Sequence, residues 1–183
     1  MEIGATKAVQ DRLKTTKIEE SKGASLVFCW DTHLTKIKGR NVLFIVNASN
    51  RYTIAMTDIE PRNWNYYAMY IIRVIHGMMQ EMGYSEEQIE QYFKMSGDTT
   101  VTKTHGRKSV GGINRMVMDA QYFGKKLEKE AKYQWELSEY LNRDICQPEG
   151  FDAYGYPNEL FKLDMERLGI ATKRKPAKVI DFA

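Results

Sequence analysis

One segment constrains the fold more than any other part of the chain: residues 24–57, ASLVFCWDTHLTKIKGRNVLFIVNASNRYTIAMT. It is rich in β-branched and aromatic residues, and two turn sequences, Lys38-Gly39-Arg40-Asn41 and Ala48-Ser49-Asn50, interrupt it. Such a pattern is typical of buried strands separated by turns. We therefore predict three antiparallel strands in a meander, with the short segment MEIGA at residues 1–5 as a fourth strand.

The remaining segments carry mainly helical patterns. We predict helices at residues 6–14 after Thr6 as N-cap, at 62–82, at 85–95 behind a Ser85/Gln88 capping box, from Ser109 onward, at about 130–146, and from Pro157 onward. Helix 62–82 is apolar around much of its circumference, so we expect it to be covered on more than one side. The polar residues 97–108 suit either a loop or a short edge strand.

Together these elements predict an α+β fold: a small antiparallel sheet of 3–4 strands packed on a long apolar helix, with a helical C-terminal half. A chain of 183 residues is near the usual size of one domain. We expect a single domain at residues 1–170, sheet-rich over 1–60 and helical over 61–170, followed by a basic tail at 171–183.

Composition excludes several classes of protein. The net charge of +3 is too small to indicate nucleic acid without local clustering. Apolar runs fall short of the roughly 20 residues that a membrane helix needs, and the first residues lack a secretory pattern, so we expect a soluble cytoplasmic protein without a membrane partner. Cys29 and Cys146 are expected to be reduced thiols. Because the histidines lack zinc-ligand spacing, we expect no metal and no cofactor.

Residues 103–116, KTHGRKSVGGINRM, crowd basic side chains around paired glycines just ahead of a predicted helix. If Ser109 is the N-cap, the N–H groups of the first turn lack helical acceptors and attract anions. The candidate nucleic-acid or anion-binding residues are Lys103, Arg107, Lys108, Ser109, Gly111, Gly112 and Arg115, with Lys173, Arg174 and Lys175 of the tail. The alternative is a packing loop whose basic side chains are solvated.

Two histidines are weaker candidates. Asp31 and His33 alternate on one face of a predicted strand, a spacing that could orient a histidine as general base, but the pattern favours a surface hydrogen bond. His105 precedes Arg107 and is a weak catalytic candidate for cleaving RNA. The sequence offers no nucleophile partnered with either histidine.

Four short motifs carry a resemblance to a known family. Thr6-Lys7 follows a short strand, Trp30 lies in the next strand, Val42-Leu43-Phe44 begins another, and Ser109-Val110 with Gly112 opens a helix. In this order they resemble an uncharacterised family of small bacterial proteins, often carried on plasmids, phages and conjugative elements. Ala5 stands where many relatives have cysteine, and Lys108 replaces an arginine. The resemblance covers about residues 1–125 and leaves the last helices unexplained.

The resemblance implies no established reaction, but a setting on mobile elements suggests a role in conflict with the host. In size and charge the chain is similar to type II anti-CRISPR inhibitors. We therefore expect a non-enzymatic binding protein that inhibits a nucleic-acid-guided defence at a Cas9-type nuclease or its guide RNA. The alternatives are a small RNA-cleaving nuclease and an interaction protein without nucleic acid contact.

Overall fold

In the computed structural model, residues 1–13 and 18–171 are described. The strands are β1 (Glu2–Ala5), β2 (Cys29–Ile37), β3 (Arg40–Asn47), β4 (Thr53–Thr57) and β5 (Thr100–Lys103). The helices are α1 (Lys7–Leu13), a 3₁₀ turn (Leu26–Phe28), α2 (Pro61–Asn65), α3 (Tyr67–Glu81), α4 (Glu86–Ser96), α5 (Gly106–Gln121), α6 (Trp135–Asn142) and α7 (Pro157–Arg167). The basic tail with Lys173, Arg174 and Lys175 lies outside the described residues.

The described strands form one mixed sheet in the order β4-β3-β2-β1-β5. The meander β2-β3-β4 is antiparallel, as predicted, whereas β1 pairs in parallel with both β2 and β5. The α+β class is confirmed, but the expected antiparallel sheet of 3–4 strands is wrong in strand number and direction. The error has a physical cause, because a parallel pair such as Glu2↔Thr100 joins residues far apart in sequence.

The β2–β3 hairpin turns where the sequence predicts it. Lys38 and Gly39 both have positive φ, 48° and 82°, which is the geometry of a two-residue turn that follows the twist of the strands. Glycine reaches such angles without strain, and this fixes the register in which Ile37 pairs with Arg40.

Each face of the sheet packs against its own helices. One face, with Ile3, Trp30 and Ile45, is buried with residues of α3, α4 and α7. The other face, with Phe44 and Val46, is buried with residues of α5 and α6. On this second face, β1 contributes Glu2 and Gly4 and the first half of β2 contributes Asp31 in place of apolar residues, and that change positions the site described below.

Two of the predicted helices, at 62–82 and at about 130–146, differ from the observed ones. The helix at 62–82 breaks at Tyr66 after two asparagines, which are weak helix formers. Its α3 part leaves one strip open to solvent, where Met69 is 60% exposed. The helix at about 130–146 is α6 alone, because the residues before it lie along β4, where the Thr57 N–H donates to the Lys132 carbonyl.

Other predictions that depend on neighbouring residues are confirmed. The side chain of Ser85 accepts from the Gln88 N–H and the side chain of Gln88 accepts from the Ser85 N–H, which is the predicted capping box of α4. Helix α7 begins at Pro157 and α1 directly after Thr6, both as predicted. Over the described residues, the helices are too short or too polar to cross a membrane.

Candidate functional site

Helix α5 begins at Gly106, three residues before the predicted N-cap Ser109. Gly111 and Gly112 therefore lie inside the helix, where their N–H groups face helical acceptors instead of a ligand. The expected anion cradle built from free N–H groups of the paired glycines is wrong. The side chains of this segment nevertheless lie at two adjoining places, a buried cluster and a basic cleft.

Asp31 explains the early start of α5. Its carboxylate accepts from the His105 N–H at 3.2 and 3.3 Å, from His105 Nδ1 at 2.7 Å, and from the Ser109 hydroxyl. A carboxylate at a helix N-terminus satisfies N–H groups that lack helical acceptors and complements the helix dipole. Since Asp31 comes from β2, this cap is invisible in the sequence around Ser109.

We call Glu2, Cys29, Asp31 and His105 the buried cluster. His105 Nε2 lies 3.0 Å from Glu2 Oε2, while its Nδ1 bonds Asp31, and the His105 side chain is only 3% exposed. Side-chain atoms of Glu2, Cys29 and His105 all lie within 4.8 Å of one another. Neither ring nitrogen of His105 is free to meet a substrate, and His105 lies apart from the exposed side chains of Arg107 and Lys108.

The cluster changes the acidity of its members. Burial alone would lower the pKa of His105, but the hydrogen bond to Asp31 and the nearby Cys29 outweigh it and raise the pKa to about 10. Burial likewise opposes ionisation of Glu2, yet hydrogen bonds from the Ser21 hydroxyl, the Lys22 N–H and His105 hold the pKa of Glu2 below its usual value. The ring of His105 is thus a cation between two carboxylates.

His33 does not share this arrangement. It lies on the same face of β2 as Asp31, but its Nδ1 is 3.2 Å from the Thr6 hydroxyl oxygen. Burial lowers the pKa of His33. Asp31 is fully buried and bonds His105, so Asp31 does not orient His33 as a general base, and the hydrogen bond that His33 makes is to Thr6.

The basic cleft lies beside the buried cluster. It has a volume of about 190 Å³, and its walls are the β3–β4 turn, the first half of α5 and the loop at 147–149. Four residues define it here: Arg51, Lys108, Ser109 and Gly112. A Cβ on Gly112 would lie 3.4 Å from Arg51 Cδ and 3.5 Å from Arg51 Nε, which is ordinary van der Waals contact, so the arginine side chain packs against the helix at this position.

Arg51 carries an unpaired donor. Its Nε is buried and has no hydrogen-bond partner among the described residues, although the guanidinium interacts with the Cys146 thiol through its charge and a hydrogen bond, and both oppose the rise that burial causes in the pKa of that thiol. Lys108 Nζ lies 3.4 Å from the Pro148 carbonyl oxygen. Within residues 1–13 and 18–171, neither cation has a carboxylate at ion-pair distance. The cleft therefore holds two cations without an ion-pair partner among the described residues, and one acidic residue, Glu149, also lines it.

The structure separates the other candidate residues from the cleft lining. Lys103 pairs with Glu20, and Arg115 pairs with Asp119 one helical turn along α5. Arg107 and Gly111 are exposed. Of the candidates named from the sequence, Lys108, Ser109 and Gly112 come together in the cleft.

Three features of the site were not predicted from the sequence: the role of Arg51 in the cleft, the burial of Glu2, and the closeness of Cys29 to His105. Arg51 follows a turn and adopts a positive φ of 62°, which its sequence context does not announce. Glu2 has a usable signal, since a carboxylate inside a short apolar strand is buried only when it is paired.

Residues 2–160 match the model of a family described as a domain of unknown function (DUF6933). No curated protein and no solved structure shows a significant match to the chain.

Proposed function

The chain belongs to the DUF6933 family, and we propose that this member is a non-catalytic binding protein that holds RNA phosphate groups in the basic cleft. One observation carries the proposal: the buried, unpaired Nε of Arg51 beside a second cation, Lys108. A buried donor without a partner destabilises a protein by about 1–3 kcal/mol. A phosphate in the cleft would supply acceptors to Lys108 and, once the Arg51 side chain turns, to its Nε.

The size of the cleft limits what it can hold. Its volume of about 190 Å³ is below the roughly 300–1,000 Å³ of sites that enclose a whole small molecule. It suits one anionic group of a larger ligand whose remainder stays outside. A polynucleotide backbone has this form, because its phosphates project from a chain that extends beyond any single site.

The two cations of the cleft favour an anionic group, and their donors match the oxygens of a phosphate. Arg51 presents a planar set of donors that matches phosphate oxygens, and Lys108 adds a mobile point charge. The Ser109 hydroxyl hydrogen is already donated to Asp31, so binding depends on the two cations. Glu149 also lines the cleft, but its side chain is exposed and can turn away.

We extend the proposal to one class of partner: the guide RNA of a type II CRISPR nuclease, with the protein acting as a mobile-element inhibitor of this host defence. The support is the resemblance to mobile-element proteins together with the chemistry of the cleft. Arg107, exposed on α5 next to Lys108, would lie along the same RNA strand.

The cleft is tested by RNA binding over a series of salt concentrations. Each phosphate contact to a single strand contributes about 0.7 to the slope of log affinity against log salt concentration. We expect Arg51→Gln and Lys108→Gln each to weaken binding and to reduce that slope by about 0.7. Arg115→Gln is the matched control, because Arg115 lies on the same helix but pairs with Asp119. Equal slopes for all three variants and the wild type would exclude the cleft.

The partner is tested by co-elution with a type II nuclease, with and without guide RNA, while the length of the RNA is followed. Guide-dependent co-elution with intact RNA supports the inhibitor. Shortened RNA would instead favour the nuclease hypothesis, and His105→Gln would then have to abolish shortening. Co-elution that does not depend on the guide RNA counts against an RNA-directed inhibitor, and so does a lack of co-elution with several such nucleases.

A further inference from the structure

The buried cluster has the chemistry of a second site, independent of the basic cleft. We propose that Glu2, Cys29 and His105 bind a Zn²⁺ ion, with Asp31 as the positioning residue for His105. Carboxylate, thiol and imidazole atoms of these three residues lie within 4.8 Å of one another, and all three residues are buried. Two parallel strands, β1 and β2, and the start of α5 bring them together.

The donor atoms select the kind of ion. One sulfur, one nitrogen and one oxygen suit Zn²⁺ and its analogue Co²⁺, whereas Mg²⁺ and Ca²⁺ prefer sites made only of oxygen. Ligand atoms about 2.0–2.1 Å from a tetrahedral ion lie about 3.3 Å from each other. The separation of 3.0 Å between Glu2 Oε2 and His105 Nε2 is close to that value. Cys29 Sγ lies within 4.8 Å of the other two donor atoms, and a sulfur ligand of a tetrahedral Zn²⁺ lies about 3.6 Å from the nitrogen and oxygen ligands.

Asp31 provides a second, independent observation. Histidines that bind metal usually donate their other ring N–H to a carboxylate, which fixes the orientation of the ring and the nitrogen that faces the ion. Asp31 Oδ1 accepts from His105 Nδ1 at 2.7 Å and thereby directs Nε2 at Glu2. The main-chain N–H of His105 also donates to Asp31, so both the ring and the backbone are held.

Charge is conserved when the ion replaces protons. Both ring nitrogens of His105 face carboxylates, so both carry hydrogen, and the Cys29 thiol lies 3.4 Å from the Ser25 carbonyl oxygen that it donates to. Binding Zn²⁺ displaces the Nε2 proton and the thiol proton into solvent. Two positive charges enter and two leave, so the charge of the buried cluster is unchanged and the main electrostatic obstacle to burying the ion is removed.

The cluster is covered by the segment before β2. The Ser21 hydroxyl and the Lys22 N–H donate to Glu2, and the Cys29 thiol contacts the carbonyls of Ala24 and Ser25. An ion must enter while this segment is displaced or while the chain folds. The experiment therefore adds metal both to folded protein and during refolding.

The test uses Co²⁺ alone as the probe, followed by displacement with Zn²⁺. We expect one equivalent of Co²⁺ to bind with a thiolate-to-cobalt charge-transfer band, and Zn²⁺ to remove that band. Cys29→Ser should abolish the band, whereas the matched control Cys146→Ser, which changes the other buried thiol, should retain it. Absence of the band under both conditions, or its persistence in Cys29→Ser, overturns the proposal.

The role of Asp31 has its own readout. Asp31→Asn should keep the charge-transfer band, because all three ligands remain, but lower the affinity for Co²⁺ by about 10–100-fold. Thermal unfolding with and without Co²⁺ shows whether the variant folds and how strongly the ion stabilises it. Unchanged Co²⁺ affinity in folded Asp31→Asn would contradict the positioning role.

Discussion

Gly4→Ala is the most demanding test of the buried cluster. Gly4 pairs with Asp31 across β1 and β2, and a Cβ at this position would overlap Asp31 Oδ1 and lie 3.0 Å from Asp31 Cγ and 3.1 Å from His105 Nδ1. Asp31 is fully buried, has a short side chain and is held by several hydrogen bonds, so it has little room to retreat. The added methyl group must therefore break the contact between Asp31 and His105.

The magnitude follows from what is broken. Disrupting a buried ion pair costs about 3–5 kcal/mol, and the lower value applies here because both partners remain and can partly rearrange. We expect Gly4→Ala to lower the free energy of unfolding by about 3 kcal/mol. For a chain of 150–250 residues this lowers the melting temperature by about 6–12 °C, at roughly 2–4 °C per kcal/mol.

Chemical denaturation followed by circular dichroism measures the change directly. Gly77→Ala in α3 is the matched control, since its Cβ meets nothing within 4 Å among the described atoms and should stabilise the helix by about 0.5–1 kcal/mol. In an Asp31→Ala background the cost of Gly4→Ala should fall below about 1 kcal/mol, because most of the overlap is gone. A Gly4→Ala variant as stable as the wild type would refute the reasoning.

Three further expectations concern stability and are measured by chemical denaturation. Ser85→Ala removes the capping box of α4 and should lower the free energy of unfolding by about 1 kcal/mol. An unchanged free energy of unfolding would show that the Ser85 hydroxyl does not stabilise the helix. Tyr92→Phe removes a hydroxyl that accepts from Trp30 Nε1 at 2.9 Å, leaves a buried N–H unpaired, and should cost about 1–3 kcal/mol; a variant of wild-type stability contradicts this. Burial raises the pKa of the Asp164 carboxyl in the folded protein above its value in the unfolded chain. The stability that the protonated carboxyl contributes is therefore fully present below about pH 4 and is lost as pH rises through the raised folded pKa. Asp164→Asn should therefore gain stability relative to the wild type between about pH 4 and pH 7, and equal pH profiles would show that the ionisation of Asp164 is not penalised.

The sequence predicts the parts of this fold that depend on adjacent residues. The turn at Lys38-Gly39 and the capping box at Ser85 and Gln88 are encoded within four residues each, and both are confirmed. The position of β5 is different, because its polar sequence becomes a strand only through pairing with β1, about a hundred positions earlier in the chain. A local pattern cannot specify a partner at that distance.

The same limit applies to the candidate site. The segment around Lys108 and Ser109 was identified from its composition, but the start of α5 depends on Asp31, which lies 74 positions from His105. Arg51 is equally remote from Lys108, so the cleft has no continuous motif. The sequence shows only that basic residues are concentrated near two glycines, and it does not show which of them line the cleft.

Through helix α5, a change in the buried cluster affects the basic cleft more than a change in the cleft affects the cluster. The buried cluster fixes the start of α5 through His105 and Ser109, and this sets where Lys108 lies relative to Arg51. A change in the cluster that shifts the helix must therefore alter the cleft as well. Arg51, in contrast, contacts α5 from the β3–β4 turn, outside the hydrogen bonds of the cluster. Loss of RNA binding in Arg51→Gln with unchanged Co²⁺ binding would separate a ligand contact in the cleft from a general disturbance of α5.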